Sequence, residues 1–134
     1  MSHSRIVDHR LSHRVRYHEC DAQGRVHHAH YLLYFENGRV ELMRANARSY
    51  KDFEASGLML VIKKMEVEYL LPAEFDDLLE ISTCVEKSKG ARIIHRYEIQ
   101  RAETLIVRGI SEIGCIDRTG AVKRLPEFLQ WSDL

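Results

Sequence analysis

Residues 17–44 read YHECDAQGRVHHAHYLLYFENGRVELMR, and the order of residue types in this stretch decides the fold. Just before and into it, His13 to Glu19 alternates polar and apolar residues, as an extended segment does. The extended segment gives way to a turn at Gln23-Gly24, which leaves Asp21 at a strand end with its carboxylate held by loop backbone. His28 follows, and then the run Ala29-His30-Tyr31-Leu32-Leu33-Tyr34-Phe35, whose apolar character predicts the first turns of a buried helix. A helix N-terminus offers unspent backbone N–H groups and the positive end of a dipole, which stabilise negative charge on a carbonyl oxygen under attack. A carboxylate beside such donors is the layout of an acyl-transfer site.

Working outward, the helix is expected from about Ala29 to Ala47, with Tyr31, Tyr34, Phe35, Gly38, Leu42 and Ala45 on one stripe and Glu41, Arg44 and Arg48 pointing elsewhere. A shorter helical piece, Tyr50 to Ala55, ends at Gly57. From there the period changes to two. Met65, Val67, Tyr69 and Leu71 share one strand face, and Leu79, Ile81, Thr83 and Val85 share the next. Ile93, Tyr97 and Ile99 follow, and then Leu105, Val107, Ile113 and Cys115. The connections Ser88-Lys89-Gly90, Ala102-Glu103 and Arg118-Thr119-Gly120 are too short for parallel crossovers, so the strands form an antiparallel meander. The expected class is α+β, with one antiparallel sheet wrapped around one long central helix.

The chain has 134 residues, 45% of them hydrophobic, enough for one domain (1–134) with a real core. No linker, repeat or low-complexity tract divides it, and only Pro72 and Pro126 punctuate it. Twenty basic and 20 acidic residues are interspersed and cancel, so no global field steers a nucleic acid, and zero net charge favours self-association. Cys20, Cys84 and Cys115 are an odd, widely spaced set. With no apolar signal core at the N-terminus and no run long enough for membrane insertion, a reducing cytoplasm is the expected compartment.

Two groups of residues, in order, resemble the hotdog-fold acyl-CoA thioesterases of the YbgC type, relatives of 4-hydroxybenzoyl-CoA thioesterase. The first is Asp21-Ala22-Gln23-Gly24-Arg25-Val26-His27-His28-Ala29-His30-Tyr31-Leu32, followed by Tyr34-Phe35-Glu36 and Arg39. The second is Lys64-Met65-Glu66-Val67-Glu68-Tyr69, with Pro72 and Asp76-Asp77-Leu78-Leu79-Glu80-Ile81. The resemblance implies a hotdog fold and thioester hydrolysis without a cofactor. It also implies a homo-oligomer, a dimer or tetramer, with active sites at the subunit interface.

An aspartate before a turn is, across proteins, more often an Asx-turn or cap residue than a catalyst. The resemblance assigns Asp21 instead to the thioester, either as a nucleophile that forms a mixed anhydride or as general base for water. It places the oxyanion donor at the backbone N–H of His28. The His28 side chain orients substrate, water or Asp21, assists departure of the thiolate, or serves as a structural hydrogen-bonding group. His27 and His30 depart from the usual residues. Together with His28, Glu19, Cys20 and Asp21 they invite a zinc reading, but adjacent His27 and His28 diverge and no second ligand group stands at a zinc spacing, so no metal is expected. His95, on an apolar strand face, is expected to be a hydrogen-bonded core residue.

The resemblance lines the acyl pocket with Tyr31, Tyr34, Phe35, Leu60, Val61 and Ile62, some from a neighbouring subunit, although Phe35 fits plain core packing better. Such a lining suits an aliphatic or aromatic acyl group rather than a charged one. For CoA the candidates are Lys63, Lys64, Lys89 and Arg92 as phosphate-binding cations, with the turn Ser88-Lys89-Gly90 near the carrier end. The same surface suits the phosphopantetheine arm of an acyl carrier protein. The competing functions are a catalytically weak acyl-thioester binding protein and a hotdog dehydratase, which needs a His and an acidic partner on different elements rather than this Asp loop.

Overall fold

The strand that opens the sheet, β1 (Asp8–Arg14), buries alternate residues only partly, and the chain then runs through a 3₁₀ turn (Tyr17–Glu19) into the long helix α1 (His28–Ala45). A short helix α2 (Tyr50–Ala55) follows. The strands β2 (Leu58–Tyr69), β3 (Leu78–Lys89), β4 (Arg92–Arg101) and β5 (Thr104–Asp117) complete the sheet. The structure is a computed structural model and describes residues 6–46 and 48–131. The strand order is β1-β3-β4-β5-β2, antiparallel throughout, so β1 and β2 are the free edges. This is the expected α+β arrangement. Gly90-Ala91 turns β3 into β4, and Ala102-Glu103 turns β4 into β5, through pairs at Lys89–Arg92 and Arg101–Thr104.

The inner face of the sheet carries Leu79, Ile81, Thr83, Val85, Ile93, Tyr97 and Ile99, all buried against α1. The outer face is charged and crossed by ion pairs such as Arg10–Glu80, Arg96–Glu86 and Arg108–Glu68. These exposed pairs add little stability but keep that face in water. The helix approaches the sheet closely at two glycines. A Cβ on Gly38 would lie 2.1 Å from Thr83 Oγ1, and one on Gly109 would lie 2.8 Å from Phe35 Cε2. Phe35 therefore packs flat on Tyr97, with ring centroids 4.4 Å apart, and is fully buried core, as the sequence reading preferred.

Three details differ from the periodicity. The helix begins at His28, because His27 serves as its cap, and it ends at Ala45; Ala47 lies outside the described residues. A bulge between Ile99 and Gln100 opposes two β4 residues to an extra residue on β5, so Ile106 and Val107 are both buried while Leu105 is only half-buried. Arg39 is buried and donates to Tyr97 Oη at 3.0 Å. His95 is buried as expected, but its Nδ1 has no hydrogen-bond partner among the described residues. Burial, helped by the Arg39 charge, pushes its pKa down to about 3, so the ring is neutral.

Candidate active site

The Asp21 loop closes on itself before it meets the helix. Cys20 bridges Val26, the Asp21 N–H donates to Arg25 O at 2.8 Å, and Gly24, at φ +80°, takes the left-handed conformation that the tight turn requires. Asp21 Oδ1 accepts from the N–H groups of Gln23 (2.8 Å) and Arg25 (3.3 Å). The side chain is thus an Asx-turn acceptor. Its other oxygen, Oδ2, has no hydrogen bond among the described residues, so the turn aims the carboxylate without consuming it.

Glu19 ties this loop to the helix. Its buried Oε1 accepts from Arg16 N–H (2.7 Å) and Tyr34 Oη (3.0 Å) and meets His13 Nε2 at 2.8 Å. Its carbonyl oxygen accepts from His27 N–H at 2.9 Å. Burial alone would raise its pKa, but the hydrogen bonds from Arg16, His13 and Tyr34 together hold the carboxyl below its ordinary value. Tyr34 is consequently a core anchor and not a pocket residue. Its hydroxyl is pushed far above the usual phenol range, first by burial and then by Glu19.

At the start of α1 the free donors are nearly all spent. The N–H of Ala29 goes to His27 Nδ1 (3.2 Å) and that of His30 to His27 O (2.9 Å). The His28 N–H has no partner among the described residues, which makes it the unspent donor of the first turn. Tyr69 Oη donates to the carbonyl oxygen of His28 at 3.2 Å, and Tyr31 Oη accepts from Ala73 N–H at 3.3 Å, so two aromatic side chains brace the helix start.

A cavity of about 320 Å³ opens at this junction. Asp21, Arg25 and His28 form its polar wall; Val26, Tyr31, Tyr69 and the segment Leu70-Leu71-Pro72 form the apolar one. Of the sequence-predicted site residues, Asp21, His28 and Tyr31 are brought together here. Arg25, Tyr69, Leu70 and Leu71 were missed as lining, because they reach the cavity from a loop and from the end of β2 that only tertiary pairing sets beside it. Arg25 and Tyr69 lie within the two motifs of the resemblance, and that was the available signal.

The other predicted residues lie elsewhere on the same chain. Val61 pairs with Gly114 and Tyr69 with Val107, so Leu60, Val61 and Ile62 sit at the opposite end of β2, about 26 Å away at a strand rise of ~3.3 Å per residue. The CoA candidates cluster at that far end too. Lys63 and Arg92 both meet Glu112 (4.0 and 3.4 Å), and Lys64 pairs with Glu66 (3.1 Å). Ser88 is buried with its hydroxyl donated to Leu129 O, and the amide group of Gln130 occupies both Gly90 N–H and Gly90 O. Ser88 is therefore buried under the C-terminal segment and the backbone of half-buried Gly90 is engaged by it, which leaves neither group open to a ligand within one chain. Lys89 remains exposed. The His27 and His28 rings stack at 4.3 Å, and no three His, Cys, Asp or Glu among the described residues gather as metal ligands.

A family model described as "Thioesterase-like superfamily" matches residues 15–131. The chain is 36% identical over 105 residues to the acyl-CoA thioester hydrolase YbgC of Escherichia coli O6:H1, covering 78% of each. It is 34% identical over 105 residues to the acyl-CoA thioesterase YbgC of Haemophilus influenzae, covering 78% of this chain and 77% of that one. The crystal structure of a probable thioesterase from Bartonella henselae superposes with a TM-score of 0.84 at 35% identity, over 89% of this chain and 99% of that one. A DHNA-CoA thioesterase from Staphylococcus aureus gives 0.86 at 26% identity, over 92% and 84%.

Proposed function

Because this chain belongs to the thioesterase-like superfamily, we propose that it hydrolyses acyl-CoA thioesters at the Asp21 cavity. The observation that carries the reading is that Asp21, with Oδ2 left unbonded among the described residues, and His28, with its N–H unspent there, line one cavity. Asp21 either adds to the thioester carbonyl carbon, forming a mixed anhydride that water then cleaves, or takes a proton from the attacking water. On both routes the carbonyl oxygen becomes an oxyanion, and a donor already fixed by a capped helix stabilises it without reorganisation. The C–S bond breaks, the thiolate leaves with a proton, and the carboxylic acid is released. The His28 imidazole, on the same wall, is placed to orient water or protonate the thiolate.

The distance between the Asp21 cavity and Leu60–Ile62 supports a shared site. If a second copy pairs antiparallel along the free β2 edge, centred near Lys63-Lys64, its residues near Leu60 come beside Tyr69 of the first. The partially exposed apolar run of β2, with Ile62 46% exposed, suits that partner. The proposed protein is a single-domain cytoplasmic dimer or tetramer that needs no cofactor; among the described residues no helix is long and apolar enough to cross a membrane.

A thiol-release screen against short, long and aromatic acyl-CoAs, with acyl carrier protein thioesters alongside, tests the activity. Asp21→Asn is expected to lower the best rate by at least about a hundredfold while the protein stays folded. A folded Asp21→Asn that hydrolyses at near the parent rate removes Asp21 from the chemistry. Tight binding of acyl-CoA by the parent without turnover would identify a binding protein instead.

A further inference from the structure

Arg25 is the cation of the cavity, and among the described residues no carboxylate pairs with it. Its backbone is fixed on both sides, with the N–H on Asp21 Oδ1 (3.3 Å), the carbonyl accepting from Asp21 N–H (2.8 Å), and a bridge to Glu74 across the neighbouring segment. The residue lines the cavity, and its side chain makes no ion pair and no hydrogen bond among the described residues. The arginines of the outer sheet face contrast with it, since Arg10, Arg96 and Arg108 each meet a glutamate. An unpaired guanidinium presents a planar fork of donors that fits a carboxylate in two-point contact.

The position of the fork says which part of a substrate it can meet. Asp21 and Arg25 are the two ends of one closed loop and line the same cavity, so with a thioester carbonyl beside Asp21 a group a few carbons along the acyl chain lies within reach of Arg25. The phosphates of CoA are separated from the sulfur by the whole pantetheine arm and do not reach the same small cavity. An anion held by Arg25 while Asp21 meets the carbonyl therefore belongs to the acyl group. An acyl carboxylate entering here would be repelled by Asp21 and needs a compensating charge, whereas the wall of Tyr31, Tyr69 and Leu71 accepts the methylenes between the two ends.

We propose that Arg25 is a specificity-determining residue that selects acyl groups carrying a carboxylate a few carbons from the thioester. This rests on the thioesterase reading of the cavity, and it departs from the neutral acyl group that the sequence suggested. Glutaryl-CoA and pentanoyl-CoA, five-carbon acyl groups differing in a terminal carboxylate, are the probes, with the enzyme-free hydrolysis rate subtracted.

The parent is expected to show a higher kcat/KM for glutaryl-CoA. That preference ratio should fall at least about tenfold in Arg25→Met, the scale of a charge-assisted contact, and survive in large part in Arg25→Lys. A parent that prefers pentanoyl-CoA, or a ratio unchanged in Arg25→Met, overturns the assignment. If the folded parent hydrolyses neither thioester, the thioesterase reading fails only if no acyl-CoA or carrier thioester of the wider screen is hydrolysed either, and calorimetric binding of the same two compounds decides the role of Arg25. A glutaryl preference lost in Arg25→Met then upholds it, and equal binding rejects it.

Discussion

Asp21 is both a turn residue and a candidate catalyst, because a carboxylate has two oxygens and the Asx turn occupies one of them. The same division of labour recurs at His28, where backbone and side chain have separable roles. The first helical position tolerates proline, and His27, at φ −63° and ψ 136°, already has the extended conformation required before one. His28→Pro thus removes the N–H with little disturbance of the helix, and His28→Ala removes only the imidazole. The expected result is a loss of roughly 10²–10³ in kcat for His28→Pro with the melting temperature nearly unchanged, the scale of one lost oxyanion donor. A folded His28→Pro with parent-like turnover would assign the oxyanion to another group.

Where helix α1 rests on the sheet, the packing contains polar groups with strained accounts. Arg39 and Ser111 satisfy Tyr97 Oη at 3.0 and 2.5 Å, whereas Thr83 Oγ1 and His95 Nδ1 are buried without partners among the described residues. The His95 pKa is about 3 in the folded chain against an ordinary 6.5, so between those values the unfolded state binds a proton that the folded state does not. Stability is therefore complete above pH 6.5 and declines as pH falls toward 3, by at most about 1.4 kcal/mol per pH unit from this group. Urea unfolding from pH 7.5 to 4.5 should show that decline in the parent and a shallower one in His95→Phe. Glu19, whose carboxyl is held below its ordinary value, contributes its own loss only at more acid pH. Equal slopes in the two proteins would mean that His95 does not govern the acid response.

For the whole molecule, the unpaired β2 edge and the apolar residues near the cavity argue that the working unit is larger than one chain. Tyr69, Leu70 and Leu71 are 48%, 44% and 44% exposed, a cost that burial against another copy removes. Light scattering at micromolar concentration should report a dimer or tetramer, and dilution that dissociates it should abolish hydrolysis in parallel. A stable, fully active monomer is incompatible with a site shared between copies.

Helix α1, the short α2 and the antiparallel strands were legible residue by residue, because apolar periodicity and turn chemistry are properties of neighbours in the chain. So was the Asp21–His28 pair, which sits within one motif and needs only a loop and a helix start to meet. What lay beyond reach was set by contacts between distant segments. Tyr34 reads as pocket or core until Glu19 captures its hydroxyl, and the burial of Arg39 shows only where Tyr97 meets it beneath the helix. Bulges at Glu86 and Ile106 re-phase β3 and β5, which buries Ser88 and Ile106 against the simple alternation. Above all, antiparallel pairing decides which end of β2 borders the Asp21 loop. It puts Tyr69 there and carries Leu60–Ile62 away, since strand direction is fixed by long-range hydrogen bonding and not by the residues of the strand itself.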